Sequence, residues 1–176
     1  MPIGKIGKIC LDTETTGLDC FRDEIIELAI ISYNGDILFH HRIKPLRRKS
    51  WPKASSVNGI YPEDLRNEET IEYYRKDIQR IFDAADAVIG YNVTFDADFL
   101  RSSHFVLPDI EIDVMEPFAV IYGDYNNYWE DYTWQKLTTC ACYYHYDWGN
   151  TKAHGALADA LATLYCYKKM TAHDHA

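Results

Sequence analysis

The chain has 176 residues, 47% apolar and 26% charged, which fits one folded globular unit and excludes a disordered or fibrous chain. Its formal net charge of −9 argues against a general nucleic-acid coating protein, but leaves open an enzyme that works on a strand end through local patches. No apolar stretch approaches a membrane span, and the start Met1-Pro2-Ile3-Gly4-Lys5 lacks signal-peptide architecture, so a soluble cytoplasmic protein is expected.

The first third reads as a strand meander. A first strand, Ile6 to Thr13, runs into Asp12 and Glu14 within Ile9-Cys10-Leu11-Asp12-Thr13-Glu14-Thr15-Thr16-Gly17. Residues i and i+2 of a strand share a face, so the two carboxylates project together. Like charges held that close repel unless a cation lies between them, which makes a divalent metal site one reading and a solvated strand-to-loop junction the other. Strands Glu24 to Tyr33 and Ile37 to Ile43 follow, separated by Asn34-Gly35-Asp36. Asn-Gly between apolar runs predicts a type I′ hairpin and antiparallel neighbours. Lys44 to Tyr61 is expected to be a loop carrying Pro45, Pro52 and the basic cluster Lys44, Arg47, Arg48, Lys49 and Lys53. Thr70 can cap a helix to Ala84 that buries Ile71, Tyr74, Ile78 and Ile81.

Ala87-Val88-Ile89-Gly90-Tyr91 is a short buried strand, followed by a helix entered at Asn92 or Thr94. A strand at Ile110 to Val114 and a helix near Glu116 to Ile121 come next. Alternating strand and helix at this spacing predict parallel pairing with right-handed crossovers. The sheet is therefore mixed, with an antiparallel meander on one side and a parallel part on the other. Tyr122 to Asp131 is a polar, aromatic loop, and Thr133 to Tyr143 and Gly155 to Met170 are expected to be helices. With no repeat or linker in evidence, one domain over residues 1–176 is expected. The five cysteines, Cys10, Cys20, Cys140, Cys142 and Cys166, form no C-x-x-C pair, so reduced thiols are expected. Cys140 and Cys142 would diverge on a helix and are assigned to core packing.

Asp96 lies at the start of the helix after the buried strand, where an α/β sheet opens its carboxyl-end crevice, and Asp98 should point away toward solvent. The helix dipole also favours an acid in that first turn without any further role. His154 and Asp159 open the last helix in His154-Gly155-Ala156-Leu157-Ala158-Asp159, where small residues allow close approach to the sheet and Leu157, Ala160, Leu161 and Leu164 face inward. Asp12, Glu14, Asp96 and Asp159 thus come from three separated segments, each directed toward one end of one sheet.

Three ordered blocks carry a resemblance: Asp12-Thr13-Glu14-Thr15-Thr16-Gly17-Leu18, Gly90-Tyr91-Asn92-Val93-Thr94-Phe95-Asp96-Ala97-Asp98-Phe99-Leu100, and His154-Gly155-Ala156-Leu157-Ala158-Asp159-Ala160. The sequence resembles the DnaQ-like 3′→5′ exonucleases, which include the epsilon subunit of DNA polymerase III, in the histidine-bearing DEDDh branch. Weaker agreement extends to Glu24-Ile25-Ile26-Glu27-Leu28, Asn58-Gly59-Ile60 and Ile112-Asp113. The tyrosine-bearing branch would place Tyr four residues before the last acid, where this chain has Gly155.

The resemblance implies an α/β fold of the RNase H-like type, with a mixed five-stranded sheet flanked by helices. It also implies two divalent cations, Mg²⁺ or Mn²⁺, held by Asp12, Glu14, Asp96 and Asp159. Paired ions of that kind stabilise the attacking and leaving oxygens of an in-line phosphodiester displacement. By the family pattern Asp12 bridges both ions, Glu14 and Asp159 hold the ion carrying the nucleophilic water, Asp96 supports the second, and His154 takes the proton from the water. Thr15, Thr16, Leu18 and Phe99 are implied contacts to the terminal nucleotide, Phe99 being equally readable as core. The expected product is nucleoside 5′-monophosphate from the 3′ end of DNA or RNA, single-stranded DNA first, in proofreading or repair. A polymerase or a second copy of the chain is the expected protein partner.

Arg47-Arg48-Lys49 could grip upstream phosphates or merely solvate a loop. Tyr125, Tyr128, Trp129 and Tyr132 could stack unpaired bases, meet a protein, or form a local core. Three rivals stand beside this reading: an exoribonuclease of the same family, a non-catalytic strand-end-binding module docked on a polymerase, and a hydrolase of small phosphate esters. Cys20, His40, His41 and the tail His173-Asp174-His175 suggest no role.

Overall fold

A computed structural model describes residues 4–149 and 154–173. The N-terminal Met1-Pro2-Ile3 and the tail residues Asp174 and His175 lie outside the described residues. Strands β1 (Gly7–Thr15), β2 (Ile25–Ser32) and β3 (Ile37–Arg42) form the antiparallel meander, and β4 (Ala85–Gly90) and β5 (Ile110–Asp113) add the parallel part. The sheet order is β3-β2-β1-β4-β5. This is the expected five-stranded mixed sheet flanked by helices.

Helices α2 (Ile71–Ala84) and α3 (Val93–Ser102) cover one face of the sheet, whereas α4 (Met115–Tyr122), α5 (Leu137–Tyr143) and α6 (Ala156–His173) cover the other. With both faces covered, β2 is buried at all eight positions, which explains its nearly unbroken apolar run. Strand alternation then sorts β1: Ile9 and Leu11 join the core under α2 and α3, and Cys10 joins the core under α6. Asp12 and Glu14 share the Cys10 face and so look toward α6, whereas Thr13 looks toward α3. Alanines 156 and 160 let α6 settle on the sheet, and the Cys10 thiol donates to the Ala160 carbonyl at 3.4 Å. Among the described residues no helix is long and apolar enough to cross a membrane.

Several local expectations need correction. β1 runs through the two acids to Thr15, so they sit within the strand rather than at its end. The β2–β3 hairpin is present, but Gly35 alone of the Asn-Gly pair takes positive φ, at 96°, so the turn is not type I′. A three-residue loop spans Ser32 and Asp36 instead, and the Ser32 hydroxyl accepts the Asn34 and Asp36 amides. The stretch expected as loop at residues 44–61 contains α1 (Pro52–Asn58), with Pro in its first turn and Gly59 left-handed at its end. The aromatic loop contains a two-stranded ribbon, β6 (Tyr125–Asn126) with β7 (Asp131–Tyr132). The Thr133 amide continues that ribbon by donating to Asp124, and the Gln135 carbonyl accepts from Tyr91, which delays α5 until Leu137. Cys140 is buried as expected, but Cys142 is exposed on the far side of α5.

Candidate active site

The acids converge because three elements, β1, α3 and α6, meet at one place. Asp12 and Glu14 project from β1 toward the first turn of α6, where Asp159 waits; ligand oxygens of these three lie within 4.8 Å of one another. Asp96, in the first turn of α3, approaches from the opposite face. Its Oδ1 accepts the Thr13 amide at 2.9 Å and the Thr13 hydroxyl at 2.6 Å, which ties α3 to β1 between the two strand acids. Asp96 is therefore adjacent to the trio without belonging to it. Asp98 is exposed, as expected.

His154 sits at the mouth, exposed and in the left-handed region with φ 74°. Its amide donates to both Asp159 oxygens, at 3.3 and 3.2 Å, so the acid fixes the backbone that presents the imidazole. A residue held at positive φ costs energy that the surrounding contacts must offset, and that Asp159 bridge is one such contact.

The electrostatics follow from packing like charges together. Burial, then the charges of Asp96, Asp159 and Glu14, push Asp12 well above the usual carboxylate range. Burial and the neighbouring Asp159 raise Glu14 to about 8, with the Asn58 amide opposing. Burial raises Asp96 to about 7 against the two Thr13 bonds. Burial also lifts Asp159 to about 6, opposed by the His154 amide and charge. Among the described residues no Lys or Arg pairs with any of these four acids. An all-oxygen donor set under mutual repulsion, with no Lys or Arg among the described residues to relieve it, fits a hard divalent cation.

Beside Glu14 a groove of about 680 Å³ opens between the end of β1 and α1. Thr15, Thr16 and Leu18 line it, Leu18 being 87% exposed. Phe99 does not line it; that ring is buried in the core under α3, and the aromatic wall is Phe95, one turn earlier. Helical periodicity alone could not choose between two phenylalanines four residues apart. Trp51 and Asn58 of the α1 region also line the groove, and Asn58 donates to the Thr15 carbonyl at 3.4 Å.

Gly17 carries the bend after β1, where a Cβ would lie 2.3 Å from Asp23 Oδ2. Asp23 cannot easily retreat, because it accepts from Thr16, the Asp19 amide and Arg48. The basic loop is thus partly committed: Arg48 pairs with Asp23 at 2.7 Å and Arg47 donates to the Phe21 and Asp23 carbonyls. Arg48 still lines the groove. Away from the acids, Tyr128 and Trp129 stand 81% and 73% exposed at the tip of the β6–β7 ribbon.

The family model described as Exonuclease (RNase_T) matches residues 9–167. A PolC-type DNA polymerase III of Thermotoga maritima is 36% identical over 96 residues, which cover 53% of this chain and 7% of that protein. The DNA polymerase III epsilon subunit of Rickettsia prowazekii is 31% identical over 119 residues, 65% of this chain and 51% of that protein. The chain therefore spans about half the length of the epsilon subunit and a small part of the PolC-type enzyme. In fold it is similar to a solved structure of Exonuclease X in complex with 5′ overhanging duplex DNA, with TM-score 0.71, 17% identity, and coverage of 96% of this chain and 93% of that one.

Proposed function

The chain belongs to the exonuclease family, matched over residues 9–167, and on that premise we propose that it is a 3′→5′ exonuclease releasing nucleoside 5′-monophosphates, with residues 1–176 as one exonuclease domain. The observation that carries the reading is the meeting of Asp12, Glu14 and Asp159 oxygens within 4.8 Å beside a groove of nucleotide size. Those three acids, with Asp96 in support, would hold two divalent cations, Mg²⁺ or Mn²⁺. When bound, such ions stabilise the charge on the attacking and leaving oxygens of the phosphodiester.

The chain's own groups supply the remainder. His154, exposed at the mouth and anchored to Asp159, offers a ring nitrogen to take the proton of the attacking water. Thr15, Thr16 and Leu18 bound the terminal nucleotide along the groove floor, and Phe95 replaces Phe99 as its aromatic contact. Asp96 stiffens the strand between the two β1 acids through Thr13. The substrate in this reading is the 3′ end of single-stranded DNA, as in proofreading or repair, supported by the likeness to segments of DNA polymerase III proteins. A cytoplasmic enzyme associated with a polymerase is the matching setting. The retained four acids and histidine weigh against a module that binds without cleaving.

Hydrolysis of a labelled single strand with Mg²⁺ or Mn²⁺ tests this. Stepwise release of mononucleotides from the 3′ end, abolished by EDTA, is the expected result; internal cuts as the main product would contradict it. Matched DNA and RNA strands in the same assay separate the deoxyribonuclease from the exoribonuclease.

A further inference from the structure

Glu27 is a fifth acid at this site. It lies on β2, 8% exposed, directly opposite Glu14 in the strand pair, one residue from the register shift that skips Ile26. It is not among the three residues whose oxygens converge for a cation. Its oxygens are used in two other directions. Oε1 lies 2.7 Å from Nε2 of His40 on β3, and Oε2 accepts the Ala156 amide at 3.3 Å. Ala156 opens α6, two residues after His154 and three before Asp159.

Burying a carboxylate next to three others is costly unless its oxygens are paired and hydrogen-bonded, as both oxygens of Glu27 are. We propose that Glu27, steadied by His40, is a positioning residue that pins the first turn of α6 to the sheet, so that Asp159 and His154 stand opposite Asp12 and Glu14. The connection is short and continuous: His40 on β3, Glu27 on β2, then the helix start that carries both the acid and the histidine. Substrate contact is no part of this role. It rests on the exonuclease reading, in which Asp159 and His154 do the chemistry.

The test compares wild type with Glu27→Ala, Glu27→Gln and His40→Ala, reading Mn²⁺ affinity by titration calorimetry and kcat and KM on a 3′-end-labelled strand. Partners that orient metal ligands change affinity or activity about 10–100-fold when removed, so Glu27→Ala should lower kcat and Mn²⁺ affinity at least about tenfold. KM should stay within about threefold. Glu27→Gln keeps an oxygen for the Ala156 amide and should stay within about threefold of wild type, with His40→Ala in between. Wild-type kcat and Mn²⁺ affinity in Glu27→Ala would overturn the inference, and so would a Gln variant as impaired as Ala. Should Glu27→Ala fail to fold, His40→Ala decides, because its side chain is 34% exposed at the outer end of the connection; no change there overturns the inference. A wild type that binds Mn²⁺ but cleaves no strand would instead overturn the exonuclease reading, while the affinity comparison still judges Glu27.

Discussion

His154 and Asp159 are linked through the backbone rather than through the imidazole, which separates their roles. Removing the ring by His154→Ala leaves the amide that Asp159 accepts, so the acid should keep its place. Turnover should fall about 10²–10⁴-fold, the usual worth of a positioned general base, with Mn²⁺ affinity unchanged by calorimetry. Unchanged turnover would remove His154 from the mechanism. The two phenylalanines of α3 divide in the same way. Phe99 is buried in the core, so Phe99→Ala should cost about 3–5 kcal/mol in denaturant unfolding. Phe95 lines the groove, so Phe95→Ala should raise KM with a smaller loss of stability. Equal KM effects for both would contradict the assignment of Phe95 to the groove.

Between elements, Asp113 does more than its place at the end of β5 suggests. Its Oδ2 accepts the Val93 amide that opens α3, at 2.7 Å, and its Oδ1 accepts the Met115 amide that opens α4, at 2.6 Å. One carboxylate therefore satisfies the starts of two helices, one of which carries Asp96. Asp113→Ala should cost at least about 1–2 kcal/mol by thermal or urea unfolding, and Asp113→Asn, which keeps an acceptor, should cost less. An Ala variant with wild-type stability would refute the double cap. In α6, the small residues of the first turns allow the close approach to β1, and Asp159 there also gains from the positive end of the helix.

At the scale of the whole molecule, the site opposes folding unless its charges are relieved. Asp159 at about 6, Asp96 at about 7 and Glu14 at about 8 all sit above ordinary carboxyl values, so the folded chain binds these protons more tightly than the unfolded one. Their stabilising effect is complete below the unfolded values near 4 and is lost as pH rises through those folded values. The melting temperature of the metal-free protein should accordingly decline from about pH 5 to about pH 8. Mg²⁺ or Mn²⁺ should raise it most at the alkaline end, where the site is fully ionised. A metal-free melting temperature that climbs over this range, or a metal effect larger at pH 5, would contradict the site's electrostatics.

From sequence alone, periodicity defined the meander, the parallel strands and the helices that cover the sheet, and the three acid-bearing blocks named the candidate acids, because strand alternation and helical spacing are local geometry. What needed the tertiary structure was everything decided by partners distant in the chain. Pro52 was visible as a loop signal, yet with Gly59 it bounds a helix that packs Trp51 and Ile60 beneath it. Thr133 to Lys136 carried a helical pattern, but the ribbon and Tyr91 claimed its backbone groups. Glu27 stood only within the weaker matching block Glu24-Ile25-Ile26-Glu27-Leu28, with no role, until the fold set it opposite Glu14 and against α6. Which of Phe95 and Phe99 faces the groove likewise depended on how α3 is rolled against the sheet, a packing outcome that no single segment encodes.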